Sequence, residues 1–261
     1  MPATSNQPLL QADVCSINFG GLKAVDCFNL KMYPGELVGL IGPNGAGKTT
    51  VFNLITGVYK PTGGEIRFES KLLKGKKPYQ ITACAIARTF QNIRLFGNLS
   101  VEDNVKIARH LHYQTSLFGS IWKGKAYLRE EDHQHQKISE LLGIFGLSPV
   151  AKEKAASLPY GQQRRLEIAR ALATEPKLLL LDEPAAGANP QETRELMDLI
   201  RWIKDKFNLT ILLIEHDMQV VMGICERILV LDYGVTIAEG PPEKIRKDPK
   251  VIEAYLGEEP V

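Results

Sequence analysis

The stretch from residue 37 to residue 55 constrains the fold more than any other part of the sequence. Residues 42–49 read GPNGAGKT and match the phosphate-loop pattern G-x-x-x-x-G-K-[ST]. The apolar run Leu37–Ile41 precedes this loop, and apolar residues recur at helical spacing in 51–55. Glycine lets the backbone curl until successive N–H groups point at one anion, and a helix N-terminus adds a positive dipole end. The sequence therefore predicts a strand, a phosphate-binding loop and a helix, in that order.

Two side chains of this loop have separate predicted roles. Lys48 is expected to reach the β- and γ-phosphates of a nucleoside triphosphate, and the Thr49 hydroxyl is expected to ligate Mg²⁺. A chance glycine-rich turn is the alternative, and the strand before the loop and the helix after it argue against that alternative. The residues assigned to phosphate binding are Gly42, Pro43, Asn44, Gly45, Ala46, Gly47, Lys48, Thr49 and Thr50.

A second acidic element completes the predicted site. Residues 178–184 read LLLLDEP, a buried strand that ends in two acids and a proline. Asp182 is the predicted metal residue, reached directly or through water. Glu183 is placed one residue further on, where it can accept a proton from an attacking water. Solvated carboxylates that merely cap a strand are the alternative, and the accompanying phosphate loop makes that reading less favourable.

The apolar patterns predict an α/β protein: a P-loop NTPase core with a mainly parallel sheet, an antiparallel β subdomain and a helical subdomain. Continuous apolar runs, typical of strands covered on both faces, occur at Leu37–Ile41, 178–181, 211–214 and 228–231. Alternation at 26–33 and the stretch 65–68 predict antiparallel strands. The predicted division is 1–91 with 158–240 for the core, 92–157 for a helical lobe with an insertion at 114–136, and 241–261 for a helical tail that docks on the core.

Composition limits the partners. The net charge of +2, from 32 Lys and Arg against 30 Asp and Glu, gives no electrostatic argument for nucleic acid. The four cysteines form no Cys-x-x-Cys pair, which suits a reducing cytosol. The apolar runs are far too short to span a bilayer. We therefore expect a soluble chain whose membrane role, if it has one, depends on a partner.

Five motifs together resemble a known family. They are the phosphate loop, Gln91 in RTFQ at 88–91, LPYGQQ at 158–163, LLLLDEP at 178–184 and His216 in IEHD at 214–217. In this order they resemble the ATPase subunit of ATP-binding cassette (ABC) transporters, and the resemblance covers the whole chain. It implies an enzyme that hydrolyses ATP with Mg²⁺.

The resemblance implies roles for three further residues. Gln91 would sense Mg²⁺ and the attacking water and would link the site to the helical lobe. His216 would hydrogen-bond the γ-phosphate and help to orient Glu183. Phe19 would stack on adenine. Without the resemblance, Gln91 would be a surface glutamine and Phe19 a core residue, and for Phe19 the core alternative stays open.

The LPYGQQ stretch departs from the family pattern Leu-Ser-Gly-Gly-Gln. Pro159 replaces the serine and Tyr160 replaces the first glycine, so a hydroxyl is lost and Pro159 has no N–H to donate. Gly161, Gln162 and the following helix N-terminus remain to face ATP bound on the opposite subunit. We hypothesise that this site closes through backbone groups and the helix dipole. Asn189 also stands where many relatives have aspartate, which weighs against charge-based communication across the dimer.

Within the family, the chain most resembles the larger ATPase of branched-chain amino-acid importers. The stretches AAG at 185–187, LIEHDM at 213–218 and IEAYLG at 252–257 carry this resemblance, together with the extra segment at 114–136. Such importers pair this subunit with a second ATPase, two transmembrane permeases and a periplasmic or extracellular solute-binding protein. The resemblance implies a peripheral protein at the cytoplasmic face of the cell membrane, working as a homo- or heterodimer without nucleic acid.

Three alternatives stay open at this point. Urea and lipopolysaccharide transport systems use similar ATPases. ABC ATPases of translation or DNA repair usually carry tandem cassettes or coiled-coil inserts, whereas this chain has one cassette and no heptad run. A GTPase or small-molecule kinase is the third alternative, and the sequence lacks the Asn/Thr-Lys-x-Asp guanine motif of a GTPase.

Overall fold

The computed structural model describes residues 7–112 and 125–256 and divides the chain into two compact units. The first unit comprises Met1–Gln91 and Lys177–Val261, and the second comprises Asn92–Pro176. The second unit extends beyond residue 157, where the predicted helical lobe ended, as far as Pro176. The helix that follows Pro159 packs against the helix Val101–Arg109 of the second unit, so the LPYGQQ stretch belongs to the helical unit and not to the core.

The strands of the first unit form two sheets. They are β1 (Leu10–Phe19), β2 (Leu22–Met32), β3 (Leu37–Ile41), β4 (Gly63–Phe68), β5 (Lys71–Leu72), β6 (Ile86–Arg88), β7 (Leu178–Asp182), β8 (Thr210–Ile214), β9 (Arg227–Asp232) and β10 (Val235–Gly240). An antiparallel sheet has the order β2-β1-β4-β5, and the larger sheet has the order β10-β9-β3-β8-β7-β6. The antiparallel β subdomain predicted from alternation at 26–33 is thus present.

The larger sheet is parallel apart from its β10 edge, which pairs with β9 in the antiparallel direction. Every residue of β3, β7 and β8 is buried, as the continuous apolar runs predicted. In an open α/β sheet, ligands bind beyond the carboxyl ends of the strands. The segments that leave these ends of β3, β7 and β8 carry the phosphate loop, Glu183 and His216.

The helices complete both units. They are α1 (Lys48–Ile55), α2 (Pro78–Thr82), α3 (Val101–Arg109), α4 (Lys125–Ile144), α5 (Tyr160–Leu172), α6 (Pro190–Phe207), α7 (Met218–Ile224), α8 (Pro242–Ile245) and α9 (Pro249–Leu256). Of the predicted insertion at 114–136, residues 114–124 lie outside the described part of the chain, and the remainder belongs to α4. In the predicted tail, Ile245 and Val251 are buried where α8 and α9 contact β10.

The helical unit is held by local polar contacts as well as by its core. Ser100 caps α3, accepting a hydrogen bond from the Asp103 backbone N–H at 3.0 Å. At the other end of α3, the buried Arg109 guanidinium donates to Gln134 of α4 at 2.7 Å and to Glu175 at 2.6 Å. Because Glu175 follows α5, this arginine ties three segments of the unit together. The hydrogen bond from Arg109 lowers the pKa of the Glu175 carboxyl below its ordinary value of 4.5.

We expect the Glu175→Gln substitution to lower the melting temperature at pH 7 by about 2–4 °C. This corresponds to a loss of about 1 kcal/mol or less in the free energy of unfolding. The loss is small because the carboxylate is partly exposed and its charge is screened by solvent. A carboxyl whose pKa is lowered on folding stabilises the protein above its unfolded pKa. This contribution is lost as the pH falls through the folded pKa. Thermal unfolding of both proteins at pH 7 and pH 3.5 should show the difference shrinking at the lower pH. An equal difference at both values would contradict the ionic role.

Within residues 7–112 and 125–256, every helix is too short or too polar to cross a lipid bilayer.

Candidate nucleotide-binding site

The phosphate loop runs from the end of β3 into α1, as predicted, and two of its glycines are required by the close approach of neighbouring backbone. A Cβ atom on Gly42 would lie 1.9 Å from the carbonyl oxygen of Leu231. A Cβ atom on Gly47, whose φ is 101°, would lie 2.5 Å from the carbonyl oxygen of Ala24. Because neither approach leaves room for a side chain, these two positions need glycine.

The ammonium group of Lys48 is held inside the loop. Its Nζ atom donates hydrogen bonds to the carbonyl oxygens of Gly42 at 2.6 Å and Pro43 at 2.7 Å, and the residue is buried. The back of the loop is braced by the β9–β10 turn, where the Gly234 N–H donates to the carbonyl of Ala46 at 2.9 Å. The loop therefore combines the fixed positive charge of Lys48 with the dipoles of its backbone N–H groups. This combination is suited to binding an anion.

The predicted metal residue Asp182 is the last residue of β7, and it is almost fully buried. Its Oδ2 atom accepts a hydrogen bond from Arg88 Nη2 at 2.7 Å, and both side chains are buried. Arg88 also donates to Asn53 Oδ1 of α1 at 2.7 Å. The arginine thus connects the helix after the phosphate loop to the carboxylate at the tip of β7.

Sequence reasoning missed Arg88. A signal was present, since a cation in a buried strand needs an anionic partner, and Arg88 ends the short strand β6. The partner could not be identified, because Asp182 lies 94 residues further along the chain.

Three predicted catalytic side chains converge beyond β7. Gln91 Nε2 donates to Glu183 Oε2 at 2.6 Å, and His216 Nδ1 lies 3.5 Å from the same oxygen. Glu183 is mostly buried, whereas the His216 side chain is 62% exposed. The backbone of Glu183 has φ of 46°, a left-handed conformation that turns the chain out of the strand and that is unfavourable for residues other than glycine.

A buried acid behind this group was not predicted. Glu215 Oε1 accepts the Ala185 N–H at 2.7 Å, and Oε2 accepts the His216 N–H at 3.2 Å. Its side chain is fully buried, and burial raises the pKa of the Glu215 carboxyl above its ordinary value of 4.5. The Glu215 side chain therefore joins the segment after β7 to the segment after β8.

The Phe19 side chain is exposed, which removes the alternative that it is a core residue. The residue is 43% exposed, and its ring packs edge-on against Tyr59, with the ring centroids 5.0 Å apart. Gly20, the next residue, has φ of 58° at the start of the β1–β2 turn. The ring is available for contact with a planar ligand.

The LPYGQQ stretch forms the start of α5 in the helical unit. Pro159 is the N-cap residue, and Gly161 and Gln162 lie in the first turn. The Gln162 N–H donates to the Pro159 carbonyl at 3.0 Å, so this amide is used within the turn. The Tyr160 hydroxyl accepts a hydrogen bond from Arg164 Nη2 at 3.2 Å. The Gln162 N–H can therefore bind a phosphate only if the first turn of α5 changes conformation. The contact of Gly161 with a phosphate stays a prediction.

The donor chemistry also fits Mg²⁺. Mg²⁺ prefers hard oxygen ligands and usually keeps several waters while it binds one or two protein oxygens and the phosphates of a substrate. The exposed Thr49 follows Lys48 in the first turn of α1, and the Asp182 carboxylate has a second oxygen besides the one that Arg88 engages. These two side chains supply oxygen donors of the right kind.

Comparison with known proteins decides the family. The family model described as ABC transporter matches residues 25–186, which include the phosphate loop, Gln91 and Glu183. This chain belongs to the ABC transporter family. It is an ATP-hydrolysing cassette with the P-loop NTPase fold, and the ATPase subunits of such transporters dimerise and work with membrane components. A second model, described as branched-chain amino acid ATP-binding cassette transporter, matches residues 235–261.

Individual relatives of this ABC cassette agree with that assignment. The high-affinity branched-chain amino acid transport ATP-binding protein LivG of Escherichia coli (strain K12) is 49% identical over 253 residues, covering 97% of this chain and 99% of LivG. An ATP-binding cassette of an ABC transporter, solved in its ADP conformation, is 32% identical with a TM-score of 0.83, covering 97% of this chain and 100% of that structure. A dimeric ATP-binding cassette in a post-hydrolysis state, bound to ADP and phosphate, is 25% identical with a TM-score of 0.75, covering 89% and 98%.

Proposed function

We propose that this ABC ATPase energises the import of branched-chain or other hydrophobic amino acids, acting at the cytoplasmic face of the cell membrane as a peripheral subunit. The observation that carries this proposal is the match of residues 235–261 to the branched-chain amino acid transporter model, a segment outside the general cassette motifs. The name of the Escherichia coli relative LivG supports the same solute class.

The hydrolytic step follows from the arrangement of side chains beyond β3, β7 and β8. The phosphate-loop N–H groups and the Lys48 ammonium bind the triphosphate and stabilise the charge that develops on the γ-phosphate oxygens. Glu183 accepts a proton from the water that attacks in line. Gln91 keeps the Glu183 carboxylate in place through the hydrogen bond of 2.6 Å. With nucleotide bound, Gln91 would also contact the attacking water and Mg²⁺.

Mg²⁺, held by Thr49 and Asp182, would neutralise phosphate charge and orient the β- and γ-phosphates. Arg88 fixes the Asp182 side chain through one oxygen, which leaves the other carboxylate oxygen for the metal or its water. The buried ion pair between Arg88 and Asp182 would therefore orient the metal ligand in addition to stabilising the fold.

Two further side chains contact ATP in this proposal. His216 turns Nδ1 toward Glu183, which leaves Nε2, on the other side of the ring, as the atom that would contact the γ-phosphate. Phe19 stacks on adenine with its exposed ring. Both roles use side chains that remain accessible at the protein surface.

The working assembly is proposed to contain a second ATPase, two transmembrane permeases and an external solute-binding protein. The two ATPases close head to tail, with the Gly161 and Gln162 region of each one facing the ATP of the other. The dimeric post-hydrolysis relative supports two-subunit closure. The permeases and the binding protein select the solute, and hydrolysis followed by product release reopens the dimer.

Affinity purification of the full-length chain from membranes of its own cells tests this function. We expect two integral-membrane permeases and a second ATPase to co-purify, and we expect reconstituted vesicles with the binding protein to accumulate leucine in an ATP-dependent manner. The Glu183→Gln variant should co-purify equally well and support no uptake. Accumulation of urea or export of lipopolysaccharide without leucine uptake would contradict the solute class. Co-purification with ribosomes or DNA-repair proteins instead of permeases would contradict transport.

A further inference from the structure

We propose that Glu215 is a positioning residue for hydrolysis: its buried carboxylate fixes the segment that carries Glu183 relative to the segment that carries His216. This inference rests on the function proposed above, in which Glu183 is the base and His216 contacts the γ-phosphate. Glu215 itself touches neither the substrate nor the metal in this account.

The ladder between β7 and β8 ends at Glu183, and Glu215 lies just beyond this end. The last backbone hydrogen bond in this direction joins the Glu183 N–H to the Ile214 carbonyl at 2.9 Å. At Glu183 the chain adopts the left-handed conformation and leaves the strand, so the regular ladder cannot continue. The Glu215 side chain then supplies the next link, because its Oε1 atom accepts the Ala185 N–H at 2.7 Å.

The two oxygens of the Glu215 carboxylate have different hydrogen-bond partners. Oε1 binds the backbone two residues after Glu183, while Oε2 accepts the His216 N–H at 3.2 Å and lies 4.0 Å from His216 Nδ1. One rigid, planar group thus contacts both segments. In a neutral amide an NH₂ group replaces one of the two oxygens, so one of these N–H groups would face a donor instead of an acceptor.

The buried position of Glu215 is unfavourable for a charged side chain. The Glu215 side chain has no exposed surface, and transfer of a carboxylate from water is strongly unfavourable unless it is compensated. In the described part of the chain, His216 is the sole basic residue within 4.0 Å of this carboxylate. An apolar side chain at this position would leave the Ala185 and His216 N–H groups without this acceptor, and the two contacts explain why an acid is present at a buried position.

The Glu215→Gln substitution tests this role because it preserves size while it removes one acceptor. Using the full-length chain, we would measure MgATP affinity by calorimetry, steady-state turnover, and thermal unfolding. We expect turnover to fall about tenfold, a lost interaction of about 1.4 kcal/mol in the transition state, with MgATP affinity within about twofold of wild type. The matched control, Glu243→Gln, changes an exposed acid on α8 and should leave all three quantities unchanged.

The outcomes separate this role from a merely structural one. Unchanged turnover in Glu215→Gln would overturn the proposal, and so would a parallel loss of MgATP affinity and melting temperature. A wild-type chain without ATPase activity, or an unaffected Glu183→Gln variant, would instead overturn the proposed function. A double variant with His216→Ala provides a further check, because the effects of contacting residues that act together are not additive.

A measurement on the wild-type chain keeps the proposal testable if Glu215→Gln does not fold. The Ala185 amide hydrogen should exchange with solvent much more slowly than an exposed amide, because it is bonded to the buried carboxylate. Rapid exchange of this amide would overturn the proposal without any substitution.

Discussion

Replacing Glu183 by glutamine should lower the turnover number for ATP about 10²- to 10⁴-fold, the range expected when a general base is removed. Glutamine has the same size and can still accept the hydrogen bond from Gln91, so the site geometry is preserved while the proton acceptor is lost. The substitution leaves Lys48 and the phosphate-loop N–H groups intact. MgATP binding should therefore persist, and the variant should accumulate as an ATP-bound dimer.

Steady-state phosphate release, together with size-exclusion chromatography in the presence of MgATP, measures both effects. The Glu243→Gln variant, which neutralises an exposed acid outside the site, is the matched control. Normal turnover by Glu183→Gln would remove this residue from the role of base. A loss of MgATP binding equal to the loss of turnover would show that the side chain supports nucleotide binding and not proton transfer.

Replacing Lys48 by alanine should raise the dissociation constant for MgATP about 10- to 100-fold. Hydrogen bonds to charged groups are each worth about 1.5–3 kcal/mol, and about 1.4 kcal/mol corresponds to a tenfold change in affinity. The Lys48 ammonium is already held at the loop by the Gly42 and Pro43 carbonyls, so it is preorganised for the phosphates and little ordering is required on binding.

Calorimetric titration of both proteins with MgATP and with adenosine gives a specific test. Adenosine lacks phosphates, so its weak binding should be equal in wild type and Lys48→Ala. The Lys247→Ala variant removes an exposed lysine beside α8 and should bind MgATP as wild type does. Undiminished MgATP affinity in Lys48→Ala would exclude this ammonium as a phosphate ligand.

The sequence predicted those parts of the fold that depend on local pattern. Strands covered on both faces are apolar along nearly their whole length. The continuous apolar runs in the sequence therefore located β3, β7 and β8. The phosphate loop was equally predictable, because Gly42 and Gly47 meet steric demands that no other residue satisfies. Asp182 and Glu183 followed from their position at the end of a buried strand.

The contacts made by side chains distant in sequence could not be predicted in this way. Arg88 and Asp182 are 94 residues apart, and Glu215 and Ala185 are 30 residues apart. No periodicity relates such positions, since each pairing exists only because the sheet brings the strand ends together. The acid in Ile214-Glu215-His216 was visible in the sequence, but its burial was not.

Two other differences have local physical causes. The helical unit extends to Pro176, because α5 packs against α3, although the motif at the start of α5 was assigned to the core. Asn189, noted as a replacement for aspartate, caps α6 by accepting the N–H groups of Gln191 and Glu192 at 2.9 and 3.0 Å. Asparagine and aspartate cap helices about equally well, so the replacement preserves the helix start while it removes a charge.

The most direct test of the account is a crystal structure with a non-hydrolysable ATP analogue and Mn²⁺ in place of Mg²⁺, with the metal located by anomalous scattering. The account predicts a triphosphate enclosed by residues 42–49, with manganese bound by the Thr49 hydroxyl and by Asp182, directly or through one water. A triphosphate outside this loop, or a metal that contacts neither Thr49 nor Asp182, would contradict it.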